Sequence, residues 1–454
     1  MLARLRAPAA IFALAASVYV ALLGDRVLVP TEDNHFVHLA RSFLHGQLGV
    51  VGNVPPGTND WACFDTQTRG PCPAGRYRFP PELAERYRWY VSFPPLPAVL
   101  LLPLVALFDL QTPDRLVWAI LAGLGPALLY VLLRTFSERG RSGRTTWQNV
   151  GLSLLFAFGT VYFFSAVQGS VWFAAHVVCV PLVVGYLLFA LDARRPWLAG
   201  LMLGLAFMTR ASTFPLALFF LVEALRVARA ENGPPPPEGR SPLLRAAVWL
   251  RAVRPAALLR PLVAFAVPIL VIGAVAMAMN HARFGDPFEF GHRFLSVRWA
   301  DRIERWGLFN YHYLAKNLAV FTSSLPWLSA RPPYLTISRH GLALWFTTPN
   351  LLWVLWPRRV DATAVGLMLA AGATCLLDLC YQNSGWIQFG YRFALDYMPL
   401  LFALLALGGR RFGSGFWGLA AFAVLVNAFG AITFDRVPRF YDTDPTQNVI
   451  FQPD

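Results

Sequence analysis

The chain has 454 residues, of which 56% are hydrophobic and only 14% charged, against about 25% charged in an average soluble protein. That balance excludes a disordered chain, a collagenous chain and an ordinary soluble enzyme. It leaves a polytopic helical membrane protein. The net charge of +14 suits a nucleic-acid binder only if it lies on a soluble face, so its location decides its meaning.

Arg4 and Arg6 precede a first apolar span, Pro8–Leu23, which reads as an uncleaved signal anchor in a chain with many spans. Further apolar stretches follow at Leu116–Leu133, Val150–Val167, Val171–Leu191, Trp197–Met208, Ala211–Leu225, Leu262–Met279, Leu342–Trp356, Ala362–Leu379, Phe393–Leu407 and Phe416–Phe434. The expectation is an all-α polytopic fold with about eleven transmembrane helices. No amphipathic strand pattern supports a barrel.

Phe93–Leu110 is apolar too, but charge argues against its spanning. If it stays in the interface, the short basic loops Arg134–Arg144, Arg194–Arg195, Arg226–Arg260, Arg358–Arg359 and Arg410–Arg411 all fall on one side, as cytoplasmic loops should. Its prolines Pro94, Pro95 and Pro97 also suit a short docked helix. This topology puts the amino terminus inside, and most of the net charge with it. The charge is then a sidedness signal, and no nucleic-acid partner is expected. Two large segments face outside, 24–114 with surface helices and 281–340. The inner loop 226–260 holds the linker Pro234–Pro237.

Cys63 and Cys72 share the first outer segment, with Gly70 and Pro71 between them. A disulfide is expected there; Cys179, Cys375 and Cys380 read as small apolar residues within spans.

After the first span comes Thr31-Glu32-Asp33-Asn34-His35, followed by Phe36, Leu39, Ala40, Phe43 and Leu44 at helical spacing. Thr31 is expected to cap an amphipathic surface helix ending near Gly46. The acids then sit in its first turn. They either offset the helix dipole or provide a carboxylate base just above the bilayer. His35 and His38 are too few to define a metal site. No metal ligand set and no cofactor is assigned, and a divalent metal is compatible with the pattern. Trp197–Met208 covers only about 18 Å as a helix, short of a hydrocarbon core of about 30 Å. Arg210 therefore sits at membrane depth and needs an anion, either a lipid phosphate or an acid such as Asp396 or Asp378.

The run TEDNHFVHLARSF after a first span, the proline-led SFPPLPAVLLLPLVALF, the hairpin GLMLGLAFMTRASTFPLAL and the entry GYRFALDYMPLLF together resemble GT-C glycosyltransferases. They are most similar to bacterial relatives of dolichyl-phosphate-mannose:protein mannosyltransferases. The resemblance implies a polyprenyl-phosphate-sugar donor and inverting transfer on the outer face of the bacterial inner (plasma) membrane. The acceptor is an envelope glycan, a lipid or a protein. It implies a carboxylate general base, Asp33 or its neighbour Glu32, and donor-phosphate contacts from Arg210 and Arg392, to which Lys316 of the second outer segment is a further candidate. His35, His312 and Tyr391 are the expected sugar or acceptor contacts. Two departures stand out: the acidic pair is Glu-Asp, and Ala166–Ser170 lacks the acid that many members carry there. The alternatives are a transporter or flippase of lipid-linked glycans, for which Asp378 and Glu223 speak, and a non-catalytic membrane scaffold.

Overall fold

A backbone in lipid finds no partner for its N–H and C=O groups outside itself, so apolar stretches of this length fold as helices. The computed structural model describes residues 2–73, 78–229, 241–295, 297 and 299–441. The linker Pro234–Pro237 lies outside the described residues.

Helix α1 (Leu2–Leu23) leads into a 3-10 turn and helix α2 (His35–Leu44). Strands β1 (Trp61–Asp65), β2 (Gly70–Pro71) and β3 (Tyr87–Val91) follow, then α3 (Leu96–Phe108), α4 (Asp114–Ala122) and α5 (Leu124–Glu138). The chain continues through α6 (Thr146–Phe158), α7 (Tyr162–Ala166), α8 (Val171–Ala190), α9 (Pro196–Phe207) and α10 (Ala217–Ala228). Next come α11 (Pro242–Arg251), α12 (Pro255–Phe284), α13 (Ala300–Trp306) and α14 (Leu314–Ser323). The two-stranded β4 (Trp327–Leu328) and β5 (Leu335–Thr336) precede α15 (Leu344–Thr347), α16 (Ala362–Leu379), α17 (Met398–Leu407) and α18 (Ser414–Thr433). The result is an all-α polytopic membrane fold.

Among the described residues, seven helical segments are long and apolar enough to cross a membrane. The other four expected spans are shorter or interrupted. Pro196–Phe207 and Met398–Leu407 are apolar but short. The stretch 150–167 breaks between α6 and α7, where the Thr160 hydroxyl donates to the Phe156 carbonyl (2.7 Å) and accepts from the Tyr162 N–H (3.1 Å). The stretch 342–356 breaks before Pro349. Thr348 there leaves the helical region (φ −143, ψ 71), which the residue preceding a proline disfavours, and a 3-10 helix follows.

Two features of the 24–114 segment differ from the sequence expectation. A three-stranded antiparallel sheet, ordered β2-β1-β3, stands among the helices, with Cys63 opposite Trp89. Helix α2 is also not half-exposed: every residue from His35 to Ala40 is buried, because α3 and β3 pack against it. Helix α3 instead leaves Val99, Leu100, Leu107 and Phe108 exposed, the apolar face expected of a helix docked on a membrane.

Cys63 and Cys72 are joined in a disulfide with a Cα–Cα distance of 5.4 Å, pinning the β1–β2 hairpin. From loop closure alone, Cys63→Ser should cost about 2–3 kcal/mol. Thermal unfolding in detergent checks this, and reductant should lower the Tm of the parent but not of the variant.

The Gly/Leu-rich hairpin works by close approach. A Cβ on Gly200 would lie 2.0 Å from the Phe265 carbonyl oxygen of α12, and one on Gly204 would lie 2.7 Å from Ile272. Small residues are what allow helices in lipid to touch along their backbones. Gly200→Ala should therefore destabilise by about 1–3 kcal/mol. Gly273→Ala, where a Cβ meets open space, is the matched control in the same thermal assay.

Candidate active site

The turn before α2 is set by Asp114, not by a cap. The Asp114 carboxylate accepts from the Thr31 N–H (2.9 Å) and from the Thr31 hydroxyl. Thr31 is therefore spent on α4, and Asn34 takes the N-cap position without a side-chain bond. This corrects the expected Thr31 cap. Glu32 and Asp33 lie ahead of the helix, outside its first turn, so dipole compensation does not explain them.

Asp33 sits between the start of α8 and the 59–60 turn. Its carbonyl accepts from the Val171 N–H at the start of α8 (3.1 Å). The nearby Asn59 N–H favours its ionised carboxylate. The Nε2–H of His35 donates to the Asn59 carbonyl (2.7 Å), which ties the 59–60 turn to α2. Burial pushes the Asp33 carboxyl up to about 6, and the charges of Asp60, Glu32 and Asp435 add to that. The Asn59 N–H opposes the rise. Glu32, by contrast, is exposed.

A cavity of about 2130 Å³ opens beside them. Glu32, Asp33, Arg210 and Arg392 all line it, together with Asp60, Arg115, Trp172, Asp378 and Trp386. The lining comes from the ends of α9 and α16, the first residues of α4 and α8, the connections 209–214 and 381–393, the residues just after α18, and the segments 24–114 and 281–340. Residues from distant parts of the sequence thus meet at one site.

The two arginines differ. Arg210, at the tip of the α9–α10 hairpin, pairs with Asp396: Nε lies 2.9 and 3.0 Å from its two oxygens and Nη2 lies 2.7 Å away. His176 Nδ1 (3.1 Å) and the Ser212 hydroxyl meet the same carboxylate. Of the two anions open to Arg210, the protein supplies the acid. Arg392 is buried and donates to the carbonyls of Gly385 and Ile387, the latter at 3.2 Å. The Phe173 and Phe393 rings each lie 5.2 Å from its guanidinium carbon. Among the described residues it forms no ion pair, and its Nε has no hydrogen-bond partner. A buried guanidinium solvated only by carbonyls and ring faces is primed for an anion.

Four expected contacts are not brought to the cavity. His35 is fully buried, stacked 3.8 Å from the Trp61 ring, and burial lowers it to about 3. It is a wall residue. Tyr391 is buried between Phe321 and Phe393 (5.3 and 6.0 Å). His312 is exposed and stacks on Trp306 at 3.8 Å. Lys316 sits on α14, away from the lining. His312 and Lys316 are i, i+4 neighbours, and that local spacing does not place them on the cavity lining.

Asp60 and Trp172 escaped the sequence reading. Trp172 Nε1–H donates to Asp60 (2.7 Å), and Asp60 adopts φ +64, a conformation that Asp and Asn tolerate better than other side chains. An acid beside a turn gives no local sign of the cavity it will face. The described residues contain no group of three or more potential metal ligands.

No family model matches the chain, and no curated protein matches it. Among solved structures, it is similar to the apo-form crystal structure of the Archaeoglobus fulgidus oligosaccharyltransferase, at 14% identity and a TM-score of 0.41. The likeness covers 98% of this chain and 60% of that one, so this chain spans about 60% of that protein's length. At that identity and score it carries no inference about activity.

Proposed function

We propose that the protein is a membrane glycosyltransferase of GT-C type. It moves a sugar from a polyprenyl-phosphate donor to an envelope glycan, lipid or protein acceptor, with inversion at the anomeric carbon. The observation that carries this reading is the pairing, in one large cavity, of a carboxylate with a midpoint near 6 and a buried guanidinium free of ion pairs.

Asp33 is the general base and Arg392 the main donor-phosphate contact. As the acceptor oxygen attacks the anomeric carbon, its proton passes to Asp33. The bond from that carbon to the phosphate oxygen breaks, and the electron pair leaves with the phosphate. A base titrating near 6 is largely ionised at neutral pH and still accepts a proton usefully. The leaving phosphate is an anion already, so it needs a cation more than an acid. Arg210 is committed to Asp396 and acts as a secondary contact at most. The positive-inside pattern supports placing the cavity on the non-cytoplasmic face of a bacterial inner membrane.

The transporter reading loses one of its two supports. Glu223 is bound by Arg226 (2.8 and 3.1 Å), the Thr363 hydroxyl (2.6 Å) and the Asp192 N–H (2.6 Å), so it does not line an open path. The test is sugar transfer from labelled polyprenyl-phosphate donors by the purified chain. Undiminished transfer by a variant carrying both Asp33→Asn and Glu32→Gln removes the mechanism.

A further inference from the structure

We propose that Asp60 is a positioning residue for Asp33. The Asn59–Asp60 turn fixes where the Asp33 carboxylate sits, and the Asp60 charge, facing the same cavity, favours transfer of a proton onto it. The inference deepens the glycosyltransferase reading and rests on Asp33 being the base.

The geometry is a small closed circuit. The Asn59 N–H favours the ionised Asp33 carboxylate, and the Asn59 carbonyl takes a hydrogen bond from His35, two residues after Asp33. Asp60 follows directly, in the left-handed region, and its carboxylate is clamped by Trp172 at the start of α8. Asp33 is tied to the same end of α8 through Val171. Both acids are thus anchored to α8, and both line the cavity. Two carboxylates so placed repel when both are charged, and the cheapest relief is a proton on the one more able to take it.

The charged and titratable groups around the pair agree with that assignment. Asp33 feels Asp60, Glu32 and Asp435, all negative. Burial raises the Asp60 carboxyl as well, but the Trp172 N–H and the positive charge of Arg392 oppose that rise. Tyr381 also lies within electrostatic reach of Asp60, and burial keeps His35 neutral. The neighbouring charges add to burial at Asp33 and oppose it at Asp60, so the proton goes to Asp33. Asp60 therefore stands electrostatically between the base and the phosphate-binding arginine.

The test reads the protonation of Asp33 directly. The full chain, purified in detergent, is treated with a hydrophobic carbodiimide, which modifies protonated carboxyls, and Asp33 labelling is followed by peptide mass spectrometry across pH 4–9. In the parent, half-labelling is expected near pH 6. Asp60→Asn keeps the shape, the left-handed turn and an acceptor for Trp172 but removes the charge. It should move the midpoint down by roughly 0.5–1 unit. Asp60→Glu keeps the charge and should stay closer to the parent. A midpoint unmoved by Asp60→Asn, or moved as far by Asp60→Glu, overturns the proposal. Labelling needs no sugar transfer. If Asp33→Asn retains transfer, the glycosyltransferase mechanism falls, while the midpoint of Asp60→Asn still decides the coupling between the acids.

Discussion

Asp33→Asn should reduce sugar transfer by roughly 10²–10⁴-fold, the usual contribution of a positioned general base. The variant keeps the size of the side chain and an acceptor for the Asn59 N–H. The turn that Thr31 and Asp114 hold should therefore survive, and thermal unfolding should change little. The loss should appear in kcat more than in KM, because the proton moves only as the new bond forms. The parent should show a matching pH dependence. Asp33 is raised to about 6, so the rate should fall as pH drops through 6 and the carboxylate takes up its proton. Glu32→Gln should have a much smaller effect, since Glu32 is exposed at the cavity edge. Equal losses from both substitutions would argue that the pair acts as a unit and would demote Asp33 from sole base.

The largest stability effect should come from Asp396→Leu, at about 3–5 kcal/mol. This carboxylate is fully buried and meets Arg210, His176 and Ser212 at once. Removing it leaves a guanidinium with 18% side-chain exposure without its hydrogen-bonded carboxylate. The expected readout is a lower Tm in detergent. The double variant Arg210→Leu with Asp396→Leu should recover part of the loss, because removing both partners costs less than stranding one. A double variant no more stable than Asp396→Leu alone would show that the pair contributes little.

Both predictions turn on residues whose meaning changed between sequence and structure. Arg210 looked like the best phosphate contact because a short helix placed it at membrane depth. The depth argument survives, since it said only that an anion must be near. The anion is Asp396, 186 residues away in sequence, and no local pattern chooses it over a lipid phosphate. Arg392 moved the other way. It forms no ion pair among the described residues and remains for a substrate anion. Thr31 was read as a cap because its residue type suits one, but a carboxylate from α4 outcompeted the helix end for its hydroxyl.

The sequence by itself determined the properties that follow from local composition. Hydropathy and length placed most of the spans, because a helix in lipid must be apolar over a set distance. The extent of α2 showed in its spacing, and Cys63 with Cys72 suggested the disulfide. Only the tertiary structure decided which charges neutralise each other and which remain for a substrate. Partner choice depends on distances between chain segments far apart in sequence, and burial then sets how much each charge matters. That is why Asp60, unremarked beside its turn, meets Asp33 across one cavity wall.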